Sequence, residues 1–264
     1  MPTPFARYVA LGDSSTEGLD DPLGDGRYRG WADRLAAHVA RAQAHHIPEA
    51  PPLHYANLAI RGRKTREVRD EQLAPALAMR PDLATLFVGT NDVIQGGFQL
   101  APVIDDLREM QQALRGSGAT LLTITMPDLS AVVPMARRIA PNLAAFNQAV
   151  RDLCAETGTI VVDLAAHAWV TDQRFWSSDR LHANTEGHTR IAAALAEALG
   201  LPGADDAWAR PLPYQPPPTA LARGVGELRW VTAHLIPWAV RHALGRSSGD
   251  GITAKRPTLT PVQP

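Results

Sequence analysis

Short, nearly continuous apolar runs, separated by longer stretches of helical periodicity, leave this chain few architectures. The runs are Tyr8–Leu11, Leu53–Ile60, Leu83–Val88, Thr120–Thr125 and Thr159–Leu164. Between and after them, Trp31–Ala44, Arg66–Met79, Val103–Leu114, Asn142–Glu156 and Gly187–Leu199 carry apolar residues at helical spacing. A strand that is apolar on both sides must be covered on both, and helical crossovers do this for parallel strands. The pattern therefore predicts an α/β fold with about five parallel strands. With 264 residues, 45% of them hydrophobic, the chain can bury the core that such a sheet requires. Beyond Leu201 the texture changes. Ten of the 22 prolines lie there, so residues 204–264 read as an extension to a domain spanning residues 1–203.

Charge and cysteine content narrow the function classes. Lys plus Arg is 26 against 27 for Asp plus Glu, a formal net charge of -1 that gives no global reason to bind nucleic acid. The single cysteine, Cys154, excludes an internal disulfide framework and a cysteine-based zinc cluster. The first eight residues lack a basic stretch followed by a long apolar run, and no uncharged apolar stretch is long enough to cross a bilayer. The expectation is a soluble, cytoplasmic protein.

Ligands of open parallel sheets sit beyond the carboxyl ends of the strands. The loops there are rich in reactive side chains. After the first run comes Gly12-Asp13-Ser14-Ser15-Thr16-Glu17-Gly18, where Ser14 is either a nucleophile or a helix cap. After the second comes Arg61-Gly62-Arg63, whose glycine permits close backbone approach to a ligand or simply makes a turn. After the third comes Gly89-Thr90-Asn91-Asp92, where the Asn91 amide can reach into the same crevice or close an Asx-turn. Late in the chain, Asp179 and His182 stand three apart. In a helical turn they would share a face and could form a carboxylate–imidazole pair. Singly, such a pair is usually a surface ion pair.

In order, these four blocks resemble the SGNH (GDSL-type) hydrolase family over roughly Tyr8 to Leu199, with Ser15 standing where leucine is most frequent. The resemblance implies a three-layer α/β/α sandwich, flavodoxin-like, and a serine hydrolase of carboxylic esters needing no cofactor and no metal. It implies Ser14 as nucleophile, His182 as general base and Asp179 as its orienting carboxylate. The Ser14 and Gly62 backbone N–H groups and the Asn91 side chain would form the oxyanion hole. The expected partner is a small-molecule ester. With no large lid insertion within the core, small acyl groups are favoured. Lysophospholipase, thioesterase, carbohydrate deacetylase and O-acetyltransferase chemistry use the same site and remain alternatives, as does a catalytically idle membrane- or partner-binding protein.

Other signals compete. Gly245-Arg246-Ser247-Ser248-Gly249 has the Gly-x-Ser-x-Gly pattern of a nucleophile elbow, but lies in a polar tail without the strand and helix such an elbow needs, so it reads as a flexible linker. His38, His45 and His46 lack metal-ligand spacing and read as solvated helix-end residues. The acidic stretch from Asp20 to Gly26 lacks the spacing of a calcium loop and reads as a turn beside Ser14. Trp169 and Trp176 either wall the site or pack a loop onto the sheet. From Leu221 to Arg246, Val225, Leu228, Val231, Leu235 and Trp238 recur at helical spacing in a stretch of charge +3. Docking on its own domain, with a kink at Pro237, is favoured over weak membrane-surface contact.

Overall fold

In the computed structural model, which describes residues 4–24, 26–128, 130 and 133–264, each of the five apolar runs becomes a strand. Residues 1–3 of the N-terminal segment and Asp25 of the acidic loop lie outside the described residues. The strands are β1 (Arg7–Gly12), β2 (His54–Asn57), β3 (Leu83–Phe87), β4 (Thr120–Ile124) and β5 (Ile160–Val162). They pair in parallel in the order β5-β4-β3-β1-β2, the flavodoxin-like winding. The order reverses between β1 and β3, and the crevice at that switch point is where such sheets bind ligands.

Between the strands run α1 (Ser14–Glu17), α2 (Gly30–His46), α3 (Thr65–Ala78), α4 (Thr90–Ile94), α5 (Leu100–Gly116) and α6 (Ala140–Thr157), followed by α7 (Thr185–Ala198). Helix α2 packs on α7, whereas α5 packs on both α3 and α6, which makes two helical layers around one sheet. Every residue of β3 is buried, as a doubly covered strand requires.

The tail departs from expectation. Arg256–Pro261 form a sixth strand, β6, antiparallel to β2, so the sheet is mixed rather than wholly parallel. Its Pro257 and Pro261 masked it in the sequence, but an edge strand tolerates prolines because one row of its N–H groups needs no partner. Between the core and β6, α8 (Ala220–Trp230) and α9 (Ile236–Ala243) are joined by one π-helical turn, Val231–Leu235. Pro237, at the second position of α9, therefore meets a widened turn, closed by Ile236 N–H donating to Val231 O. That widened turn is how the helix accommodates the proline. This two-helix strap lies across the carboxyl end of the sheet. Val225 and Leu228, chosen by spacing as docking residues, are 60% and 67% exposed, while Trp230, His234 and Trp238 face inward. No helix among the described residues is long and apolar enough to cross a membrane.

Candidate active site

The first of the four blocks begins where β1 ends. A Cβ on Gly12 would lie 2.3 Å from Phe87 O and from Thr16 Oγ1, so only glycine lets β1 run so close to β3 before turning. The buried Gln72 amide bonds both Gly12 N and Gly12 O at 2.9 Å, fixing that turn from α3. Asp13, not Ser14, caps α1, accepting from Ser15 N at 3.1 Å. Ser14 is thereby the first helical residue, with its hydroxyl free to point into the crevice. Asn57, at the end of β2, donates to Thr16 O at 2.8 Å and holds the short helix from below.

The hydroxyl meets an imidazole. His182 Nε2 lies 2.7 Å from Ser14 Oγ, and His182 Nδ1 lies 2.6 Å from Asp179 Oδ2. The other Asp179 oxygen accepts from Ser177 Oγ at 2.6 Å and from the backbone N–H of Leu181 and His182 at 2.9 and 3.0 Å. Asp179 and His182 do not meet through a helical turn. They are joined by a bent loop in which Arg180 takes a left-handed conformation at φ 61°, so the i, i+3 argument found the right pair by the wrong local geometry. Burial disfavours a charged Asp179, but the His182 hydrogen bond and charge, with the other donors, hold its carboxyl far below the usual range. Burial likewise opposes protonation of His182. The bond and charge of Asp179, assisted by Asp20 and Asp13, outweigh it and raise the imidazole above its ordinary value.

The second and third blocks converge on the same cavity. Gly62 sits at φ 78°, in a loop steadied by buried Glu17, which accepts from Arg61 N at 2.9 Å and pairs with the Arg61 guanidinium. Asn91, in the first turn of α4, donates to Arg63 O at 2.9 Å and to Asp13 Oδ2 at 3.4 Å. Its amide thus ties the first and second blocks together instead of closing an Asx-turn. Asp92 accepts from both Thr65 N and Thr65 Oγ1 at 2.9 Å, locking α4 to α3. Ser14, Gly62, Asn91 and His182 all line one cavity of about 640 Å³.

A sequence profile of the GDSL-like lipase/acylhydrolase family matches residues 10–190. The chain belongs to that family. It is, in class, a carboxylic ester hydrolase. Among solved structures, a variant of an acetyl xylan esterase from Geobacillus stearothermophilus is 19% identical, with a TM-score of 0.59 over 74% of this chain and 95% of that one. A protein from Parabacteroides merdae described as a GDSL-like lipase is 20% identical, with a TM-score of 0.61 over 76% of this chain and 98% of that one. At these identities the likeness is one of fold. No curated protein is similar enough in sequence to count as a relative.

Sequence reasoning missed part of the site. Asp20 Oδ2 stands 4.0 Å from His182 Nδ1, giving the imidazole a second carboxylate neighbour. With Asp179 it completes an Asp-Asp-His trio whose ligand atoms lie within 4.8 Å, the grouping of metal-ligating type found among the described residues. The Asp179 oxygens are already taken by protein donors. The neighbouring Asp21 turns away to Arg34 and Thr185, at 2.9 and 2.8 Å. His38, His45 and His46 line a separate cavity with Arg41, beside the end of α7. Of the two tryptophans, Trp169 is buried against Phe175 at 4.9 Å, whereas Trp176 lines the Ser14 cavity. The Gly245–Gly249 stretch is neither an elbow nor a loose linker. It is a hydrogen-bonded turn, Ser247 N donating to Asp250 Oδ2 at 3.0 Å, seated on Gly62.

Proposed function

We propose that this protein hydrolyses carboxylic esters through an acyl-Ser14 intermediate. His182 Nε2 takes the hydroxyl proton as Ser14 Oγ attacks the ester carbonyl. Asp179 keeps Nδ1 protonated and stabilises the imidazolium that forms. The Ser14 and Gly62 backbone N–H groups and the Asn91 amide receive the charge on the tetrahedral oxygen. Collapse expels the alcohol, protonated by His182, and a water deprotonated by the same imidazole then releases the acid. The observation that carries this reading is the unbroken chain from Ser14 Oγ to His182 to Asp179, at 2.7 and 2.6 Å. The expectation of small acyl groups rested on the lack of a lid insertion within the core, and the C-terminal strap adds a covering surface from outside it.

The decisive experiment pairs a fluorophosphonate probe with point variants. Labelling is expected at Ser14. Hydrolysis of p-nitrophenyl acetate should fall by on the order of a thousandfold or more in folded Ser14→Ala and His182→Ala proteins. Asn91→Ala should cost on the order of 100-fold, chiefly in kcat. A folded, probe-inert wild-type protein would instead favour a binding role.

A further inference from the structure

The strap is built into the mouth of the site, not draped loosely beside it. On the core side Arg174 Nη1 donates to Pro213 O at 2.8 Å, and Arg190 holds Trp208 O at 2.8 Å, so the chain entering α8 is fixed. In mid-span Trp230 Nε1 donates to Asp179 O at 2.8 Å, and Arg180 lies under the Trp230 ring at 5.1 Å while pairing with Glu227 at 2.7 Å. Beyond α9, Ser247 Oγ lies 2.3 Å from where a Cβ on Gly62 would be, and Lys255 bonds Arg29 O and Asp33 at 2.7 and 2.9 Å. The strap therefore crosses the cleft under restraint at both ends.

Its inner face is apolar through Trp230, Ala233, Leu235 and Trp238, with His234 among them and Arg241 and Arg246 at its far end. Trp230, His234 and Trp238 follow one another at intervals of four. In a plain α-helix that spacing drifts round the axis, but the π turn at Val231–Leu235 keeps all three on the cavity side. Opposite them lie Phe87, Ile124, Met126 and Leu143 from the sheet and its covering helix. An acetyl group would fill a small part of the resulting 640 Å³, a volume in the range of sites that enclose much larger ligands. The family profile matches residues 10–190 and so ends before the strap begins.

We propose that the strap is the specificity element of this hydrolase: with Trp230, His234 and Trp238 it makes an apolar slot for the extended hydrocarbon chain of a medium-chain ester. This rests on Ser14 being the nucleophile. Each methylene that enters such a slot raises kcat/KM by up to about fourfold until the slot is full.

The test measures kcat/KM for p-nitrophenyl esters of two to ten acyl carbons, and for acetates of alkanols of matching length, with fluorophosphonate labelling in parallel. Wild-type protein should prefer chains of six or more carbons to two-carbon chains by at least tenfold in one of the two series, which also reveals the side of the ester that the slot holds. Trp238→Ala should lower the eight-to-two-carbon ratio at least tenfold. Ala233→Trp, which fills the cavity from the strap, should shift the preference to short chains and serves if Trp238→Ala does not fold. A labelled wild-type enzyme that is fastest on the shortest chain in both series, or variants that slow all lengths equally, would overturn the slot alone. Absence of both labelling and hydrolysis in folded wild-type protein would overturn the nucleophile assignment and the slot with it.

Discussion

At His182 the balance of charges has a kinetic signature. As the proposed general base, His182 works only as neutral imidazole, and its upward shift is expected to place the acid limb of kcat/KM above the ordinary imidazole value, activity rising with pH through it. Asp20, 4.0 Å from Nδ1, contributes to that position without bonding the ring. Asp20→Asn is therefore expected to move the limb to lower pH while leaving most of the plateau rate. Asp179→Asn removes the tautomer lock as well and should cost on the order of a thousandfold in kcat. A pH profile unchanged in Asp20→Asn would show that the carboxylate is screened from the ring. Ser14, Asn91, Asp179 and His182 were legible because each is a reactive side chain in a loop after a strand or before the last helix. Asp20 was not, because only a left-handed residue at φ 67° in an irregular loop brings its carboxylate to the ring. No residue spacing encodes that.

Among the elements, the junction of α2 with α7 depends on one buried imidazole. Arg29, at the N-cap of α2, offers no side-chain cap, and the first N–H groups of the helix find partners elsewhere. Asp21 accepts from Gly30 N at 3.1 Å, and His188 Nδ1, on α7, accepts from Trp31 N at 3.1 Å while Nε2 faces Leu19 O at 2.9 Å. Nδ1 must be unprotonated to accept. Burial accordingly drives the His188 pKa down to about 4, below its ordinary 6.5. The folded state then binds fewer protons than the unfolded chain between those values, so the stabilisation from His188 is complete above about pH 6.5 and is lost as pH falls toward 4. Asp13, pushed up to about 7 chiefly by burial, has the opposite sign over much of the same window, so the net slope of the wild type does not isolate the effect. The Tm difference between wild type and His188→Gln does. It should be largest above pH 6.5 and shrink toward pH 4; a constant difference would mean that the ring does not titrate with folding. Helix and strand positions themselves were readable from apolar periodicity to within a few residues. The role of His188 was not, since its partner is a backbone N–H far away in the sequence, at Trp31.

For the molecule as a whole, the residues after Leu201 complete what the family core begins. Proline content made that region look peripheral, yet it supplies the roof of the cavity, the turn on Gly62 and the last strand of the sheet. Composition records where a backbone cannot be helical or centrally paired. It does not record that an edge position is waiting for such a backbone. Lys255 is the anchor of the return path, its ammonium bonded to Tyr28 O, Arg29 O and Asp33. Lys255→Met should keep the hydrocarbon stem but lose those bonds, lowering Tm by several degrees and loosening the tail to limited proteolysis before the core is cut. Equal protease resistance in the two proteins would place the anchor elsewhere.

β6 also decides what lies beside β2. Cutting the chain after Leu244 would strip that strand away and present an unpaired row of backbone donors and acceptors to other molecules, an invitation to self-association. A truncated protein that precipitates or forms dimers would then report a bared sheet margin rather than a lost catalytic part. Fusion beyond Pro264 leaves the pairing intact and is the gentler way to modify this end of the chain.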